Sequence, residues 1–171
     1  MKPLSILPVL LSAIIISGCS CKKEPPLPSP AIGNKFSCKV NGQDWITDDV
    51  HGGFSFSPIQ NKYFVFIYAY KGNESVELYF NPPYQPGNKT LNKNTLSKYY
   101  TANPEDYGYF KRSVNGDISF WITDSLHIGN INILSIDDLT KTLKCSFSFT
   151  AYNSQTNEVI NITNGYLEKS N

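Results

Sequence analysis

The carboxyl-terminal third of the chain alternates apolar and polar residues, and this feature constrains the fold more than any other. In the clearest run, Cys145, Phe147 and Phe149 alternate with Ser146 and Ser148. Successive side chains of a β-strand point to opposite faces, so each run predicts a strand with one apolar face. Short turn-forming spans separate the runs, which predicts an antiparallel meander. The runs are residues 116–123, 128–136, 142–152 and 158–163.

The apolar face of this meander must be buried, because it is too large to remain in water. With 171 residues, the chain is long enough to cover that face within one domain. The side chains predicted to point inward are Ile118, Phe120, Ile122, Ile131, Ile133, Cys145, Phe147, Phe149, Ala151, Ile160 and Ile162.

The first half of the domain also predicts strands. Residues 63–70 are apolar at every position, which is typical of a central strand covered on both faces. Asn41–Gly42 predicts a two-residue hairpin turn that pairs Lys39 with Asp44 and turns Trp45 toward the core. We therefore expect an all-β fold, either an antiparallel β-sandwich or a flattened barrel, with about nine to ten strands and little helix.

The amino terminus has the features of an export signal. A positive charge at Lys2 precedes an apolar stretch, residues 4–16, that is too short to span a membrane. The sequence Ile-Ser-Gly-Cys that ends at Cys19 resembles the bacterial lipobox. This resemblance implies removal of residues 1–18 as a lipoprotein signal peptide and attachment of lipid, including a fatty acid such as palmitate, at Cys19. The alternative is an ordinary secretory signal followed by a cysteine by chance.

A proline-rich stretch follows Cys19 and predicts a stiff stalk. We assign residues 19–34 to the lipidated cysteine and the stalk, and residues 35–171 to a single β domain. Ser20 follows the acylated cysteine, and resemblance to the sorting rule of enteric bacteria implies a lipid anchor in the outer membrane. The predicted partner is therefore the membrane, and the choice between a periplasmic and a surface-facing domain stays open.

Several motifs occur in an order that resembles one known family. Val-Asn-Gly-x-x-Trp spans residues 40–45, Phe-Ser-Phe spans 147–149, and Ile-Thr-x-Gly spans 162–165. Together they resemble a domain-of-unknown-function family of lipoproteins from gut-type Gram-negative anaerobes. Where that family usually has Ser-Gly-Thr, this chain has Lys-Cys-Ser at residues 144–146. The resemblance implies fold and location, and it brings no activity or catalytic residue.

Residues that carry chemistry are few. Neither His51 nor His127 has a His, Cys or carboxylate at metal-ligand spacing, so no metal site is predicted. Adjacent carboxylates at 48–49, 105–106 and 137–138 fall in predicted turns and form no acid–base pair. We expect no catalytic residue, no cofactor and no enzyme activity. The formal net charge of +1, without a basic cluster, argues against binding to nucleic acid.

Aromatic residues are the candidates for ligand contact. Trp121 lies in the phase opposite to the predicted inward residues of its strand, where it can stack on a sugar ring or a partner unless a loop covers it. Tyr99, Tyr100, Tyr107 and Tyr109 fall in the least regular region, where binding loops tend to lie. We expect a non-catalytic envelope component that binds a protein partner or serves structurally. The alternative is a glycan- or small-ligand-binding lipoprotein that uses these aromatic residues.

Two covalent modifications of the domain are also predicted. Asp-Ser-Leu at residues 124–126 resembles an O-glycosylation acceptor of some Gram-negative anaerobes, with Ser125 as the acceptor, and the alternative is a plain turn. Cys38 and Cys145 both fall on the apolar phase of their strands, and export brings them to an oxidising compartment. A disulfide between them is therefore predicted, and the alternative is two free thiols packed as small hydrophobic side chains.

Overall fold

The protein is all-β and antiparallel in a computed structural model that describes residues 33–57, 62–81, 85–93, 106–137 and 139–170. Those ranges contain no helix long and apolar enough to cross a membrane. The predicted signal peptide, Cys19, the stalk up to residue 32, Tyr99 and Tyr100 lie outside the described residues. The strands are β1 (Lys35–Val40), β2 (Gln43–Thr47), β3 (Val50–Ser57), β4 (Lys62–Lys71), β5 (Glu74–Phe80), β6 (Gly87–Leu91), β7 (Tyr107–Val114), β8 (Asp117–Ile122), β9 (Gly129–Asp137), β10 (Thr142–Asn153) and β11 (Glu158–Lys169).

The strands form one sheet that curls into a nearly closed barrel. Its main path runs β2-β1-β11-β10-β8-β7-β5-β4-β3, and β9 and β6 branch from the edge of β10. The two ends of the path approach each other, because the Thr47 hydroxyl donates to the Tyr70 carbonyl at 2.6 Å and the Trp45 indole donates to Glu74 at 2.8 Å. The predicted all-β antiparallel fold is confirmed, and the barrel describes it better than the sandwich. The residues from 32 to 171 form a compact unit of their own.

The Asn41–Gly42 hairpin has the predicted register. Both residues have positive φ, 48° and 84°, as a type I′ turn requires. Lys39 lies opposite Asp44, and its ammonium group is 2.8 Å from the carboxylate. Trp45 is buried in the core, with its ring edge against Phe36. The local turn chemistry thus sets the phase of β1 and β2 relative to the interior.

The barrel interior is a single apolar cluster. The members that the alternation of β9, β10 and β11 predicts are all buried. These are Ile131, Ile133, Cys145, Phe147, Phe149, Ala151, Ile160 and Ile162.

The phase of β8 is the reverse of the predicted one. Trp121 is 4% exposed and belongs to the core, where its ring lies 5.7 Å from that of Phe110 on β7. Ile118 and Phe120, which were predicted to be inward, are 50% and 38% exposed on the outer face. Ile122 is buried, but on that same outer face. Apolar residues occupy both phases of this strand, so the alternation alone could not decide which one enters the core.

The outer face of β4, β5, β7 and β8 carries a second cluster, which explains the double-sided apolar character of these strands. Tyr79, Tyr107, Tyr109 and Ile122 are buried there, and three partly buried residues of β4 pack against them. The Tyr79 and Tyr107 rings stack with centroids 4.7 Å apart. The prediction of a central strand covered on both faces therefore fits the described part of β4.

Candidate functional site

Of the aromatic residues predicted to contact a ligand, the three that lie in the described ranges do not form an open platform. Trp121, Tyr107 and Tyr109 are each no more than 4% exposed. Trp121 lies in the barrel core, and the two tyrosines lie in the outer aromatic cluster. This corrects the prediction, because aromatic side chains stabilise a fold by burial more often than they are left free for a ligand.

Cys38 and Cys145 are buried free thiols, and the predicted disulfide between them is not formed. Strand β11 lies between their strands, β1 and β10. Neighbouring strands are about 4.8 Å apart, which puts the two Cα atoms roughly 9 Å apart or more. A bridge requires a separation of about 4.4–6.8 Å. Burial raises the pKa of both thiols to about 12, so neither is a ready nucleophile.

Each histidine meets a carboxylate that is close to it in the sequence, His51 near the start of β3 and His127 in the turn before β9. The His51 Nε2 atom is 2.6 Å from Asp49, and both side chains are more than half exposed. The His127 Nδ1 atom is 3.0 Å from Asp124, and its ring stacks on Tyr152. No group of three or more His, Cys, Asp or Glu side chains that could hold a metal occurs in the described ranges.

The Asp124 carboxylate organises its turn. It accepts hydrogen bonds of 2.7 Å from the backbone N–H groups of Leu126 and His127. Burial opposes its ionisation, but these hydrogen bonds outweigh burial and hold the pKa of Asp124 below its ordinary value. Ser125 is exposed in the same turn. A modifying enzyme could reach its hydroxyl, and O-glycosylation of Ser125 stays a prediction.

An open groove of about 400 Å³ lies on the outer face of β9, β10 and β11 and is here called the neutral groove. Its polar side chains are exposed or half-buried, and none of them is ionisable. None of these side chains makes a hydrogen bond with another part of the described chain, so their polar atoms face outward unpaired. They are Asn130, Asn132, Ser146, Ser148, Thr163 and Asn164.

A β-bulge in β11 shapes the neutral groove. Between the pairs Phe147–Gly165 and Phe149–Ile162, β11 has one residue more than β10. The extra residue leaves Thr163 and Asn164 both exposed, and Asn164 takes a positive φ of 52° that asparagine tolerates well. The bulge therefore directs two successive polar side chains outward where a regular strand would direct one.

Strand register places the remaining lining residues in rows. Ser146 lies directly between Asn132 on β9 and Tyr166 on β11. Ser148 lies opposite Asn130. The half-buried Tyr166 ring, next to Ser146, lines a neighbouring groove of about 480 Å³ that includes Ser37 and Ile46. Tyr166 is thus an accessible aromatic ring at the border of the neutral groove.

The charges beside the neutral groove are paired. On one side Lys144 lies 2.8 Å from Glu168, and on the other Lys39 lies 2.8 Å from Asp44. The Tyr166 hydroxyl donates to Glu168 at 3.0 Å, which fixes the ring. Hydrogen bonds from Lys144 and Tyr166 hold the pKa of Glu168 below its ordinary value. The groove therefore lies between two closed ion pairs and carries no charge of its own.

Sequence reasoning identified the polar face of β10 but not a site on it. Ser146 and Ser148 are predicted to be outward, since they alternate with buried phenylalanines. Asn164 and Tyr166 were not identified, because the bulge changes the phase of β11 between them and Ile162. The only available signal was Asn164–Gly165, a pair that tolerates unusual backbone conformations.

Comparison with known proteins gives one family. A family model described as a domain of unknown function, DUF6252, matches residues 34–170. No curated protein has a significant match to the chain. No solved structure has one either. The match spans every strand of the barrel, and the chain therefore belongs to the DUF6252 family of domains of unknown function.

Proposed function

We propose that this protein is a non-catalytic binding component of the cell envelope, held at the outer membrane by lipid on Cys19. The observation that carries the binding role is the neutral groove, whose polar side chains make no hydrogen bond within the described chain. Polar groups that the fold leaves unpaired on a shaped surface are available to a ligand. The anchor is supported by the Ile-Ser-Gly-Cys sequence that ends the apolar amino-terminal stretch.

The arrangement of reactive groups supports a non-catalytic role. The thiols of Cys38 and Cys145 are buried with raised pKa values, and the described structure gives them no neighbouring base by hydrogen bond. The carboxylate partner of His127 is engaged by two backbone N–H groups of its own turn. Nucleophilic and acid–base catalysis both need such groups oriented toward a substrate.

Metabolic labelling with an alkyne fatty acid tests the anchor. The wild-type protein and the matched control Cys21→Ala should be labelled and should sediment with outer membranes. Cys19→Ala should lose the label and leave the membrane fraction. Full labelling of Cys19→Ala would disprove the anchor. Protease treatment of intact cells then distinguishes a surface-facing domain, which is cleaved, from a periplasmic one, which is protected.

A further inference from the structure

We infer that the neutral groove binds an uncharged oligosaccharide, with one sugar ring stacked on Tyr166 and the sugar hydroxyls hydrogen-bonded by the surrounding amides. This inference rests on the proposed binding function and names its ligand class. Tyr166 and Asn132 are the residues that carry it, since they border the groove from opposite sides of Ser146.

The lining matches the hydrogen-bonding chemistry of sugars. A sugar hydroxyl both donates and accepts, and so do an asparagine amide and a serine or threonine hydroxyl. Asn130, Asn132 and Asn164 bring amides to the groove from two strands, and none of them is engaged by another side chain of the described structure. A ligand with many neutral hydroxyls can therefore find donors and acceptors without any change in the fold.

The ion pairs beside the neutral groove favour an uncharged ligand over an anionic or a cationic one. An anionic ligand would need a free cation, but Lys144 on β10 and Lys39, opposite Thr163 on β1, are each paired with a carboxylate at 2.8 Å. A cationic ligand would have to break the same pairs. Lys144 and Glu168 lie on one side of the groove and Lys39 on the other, whereas the residues that line the groove carry no charge.

Tyr166 supplies the apolar contact that sugar recognition needs. Its ring is half-buried and its hydroxyl is fixed by Glu168, so little side-chain entropy is lost when a ligand stacks on it. Asn132, Ser146 and Tyr166 follow one another across three strands, so the row is about 10 Å long. This length exceeds one sugar ring, and a groove of about 400 Å³ falls within the size range of ligand sites.

Affinity electrophoresis of lipid-free residues 19–171 tests the inference. The gels contain galactomannan, xyloglucan or dextran as neutral probes and polygalacturonate as the acidic one. At least one neutral probe should retard the wild type. Tyr166→Ala and the isosteric Asn132→Asp should each weaken that retardation at least tenfold. Tyr166→Phe keeps the ring and should be retarded, as should Tyr152→Ala, which removes an outer-face tyrosine that lies opposite Val159 and not beside Ser146.

Three outcomes would overturn the inference: no retardation by any neutral probe, retardation by polygalacturonate alone, or retardation that Tyr166→Ala and Asn132→Asp leave unchanged. Equal melting temperatures of the variants would show that a loss of retardation is not due to unfolding. If Tyr166→Ala is unstable, the result for Asn132→Asp decides the test. Failure here leaves the lipid anchor and a protein ligand standing. Failure of the Cys19 labelling would remove the anchor and leave the groove untouched.

Discussion

Phe147 and Gly165 face each other across β10 and β11, and the phenylalanine ring fills the space that a side chain at residue 165 would need. A Cβ atom built on Gly165 would lie 2.5 Å from two atoms of the Phe147 ring and 2.6 Å from its carbonyl oxygen. Gly165 also ends the bulge that directs Thr163 and Asn164 outward. One glycine therefore joins the packing of the core to the shape of the neutral groove on the other face.

Gly165→Ala should lower the free energy of unfolding by about 1–3 kcal/mol, because the added methyl group must displace a core ring and a backbone carbonyl. In a domain of this size, the melting temperature should fall by about 3–10 °C. Gly53→Ala is the matched control, since nothing lies within 4 Å of its Cβ position. Equal thermal stability of the two variants would contradict the close contact.

Trp121→Ala should lower the free energy of unfolding by about 3–5 kcal/mol in urea, as expected for a buried tryptophan. The exposed neighbour Phe120 is the control, and Phe120→Ala should cost less than about 1 kcal/mol. Trp121→Phe should remain close to the wild type, because the Trp121 indole N–H has no hydrogen-bond partner among the described residues. A larger loss of stability in Phe120→Ala than in Trp121→Ala would instead support the strand phase that the sequence predicts for β8.

Cys38 and Cys145 should resist alkylation in the native protein. With pKa values of about 12, both thiols are protonated at pH 8, and burial keeps reagents out. In a chain carrying Cys19→Ala and Cys21→Ala, iodoacetamide should label neither thiol until denaturant is added, and both afterwards. A non-reducing peptide map that joins the two cysteines would instead support the bridge.

Glu168 should titrate below the ordinary range of a glutamate, since Lys144 and Tyr166 hydrogen-bond its charged form. A lowered folded-state pKa stabilises the fold above the unfolded value of about 4.3, and this contribution is lost as the pH falls through the folded pKa. Lys144→Met should raise the midpoint of the Glu168 carboxyl in an NMR titration. An unchanged midpoint in that variant would show that the ion pair has no effect.

Retardation by a neutral polysaccharide should not change between pH 5 and pH 8, or with added salt. The groove has no ionisable lining residue, and Glu168 stays ionised over this range because its pKa is lowered. Screening by salt weakens only interactions between charges. A fall in retardation with rising salt would indicate that charged groups carry the binding.

The sequence determines the fold most clearly where one local rule acts alone. The positive φ values of Asn41 and Gly42 fix the hairpin register, and the alternation in β10 fixes which side chains enter the core. Strand β8 could not be assigned in the same way, because the aromatic cluster on the outer face makes both of its phases apolar. Its phase is decided by Phe110 on β7, whose position is a tertiary property.

The candidate site was harder to predict than the fold. Alternation predicts that Ser146 and Ser148 point outward. A polar strand face by itself predicts only contact with solvent and does not indicate a binding site. What makes it a groove is the extra residue in β11 and the pairing of Lys144 and Lys39 with carboxylates, and both depend on contacts between strands. The aromatic ring at its border, Tyr166, is one tyrosine among 11 in the chain and has no local signal of its own.

The pairing of β1 with β11 has a consequence for how the protein is made. Lys35 lies opposite Glu168, so the first strand of the described domain pairs with its last strand. The polypeptide cannot close its barrel while its carboxyl end is still inside the ribosome, and pairings between such distant segments form slowly. Closure of the barrel is therefore a late step in the folding of this domain, because it waits until β11 is available to pair with β1.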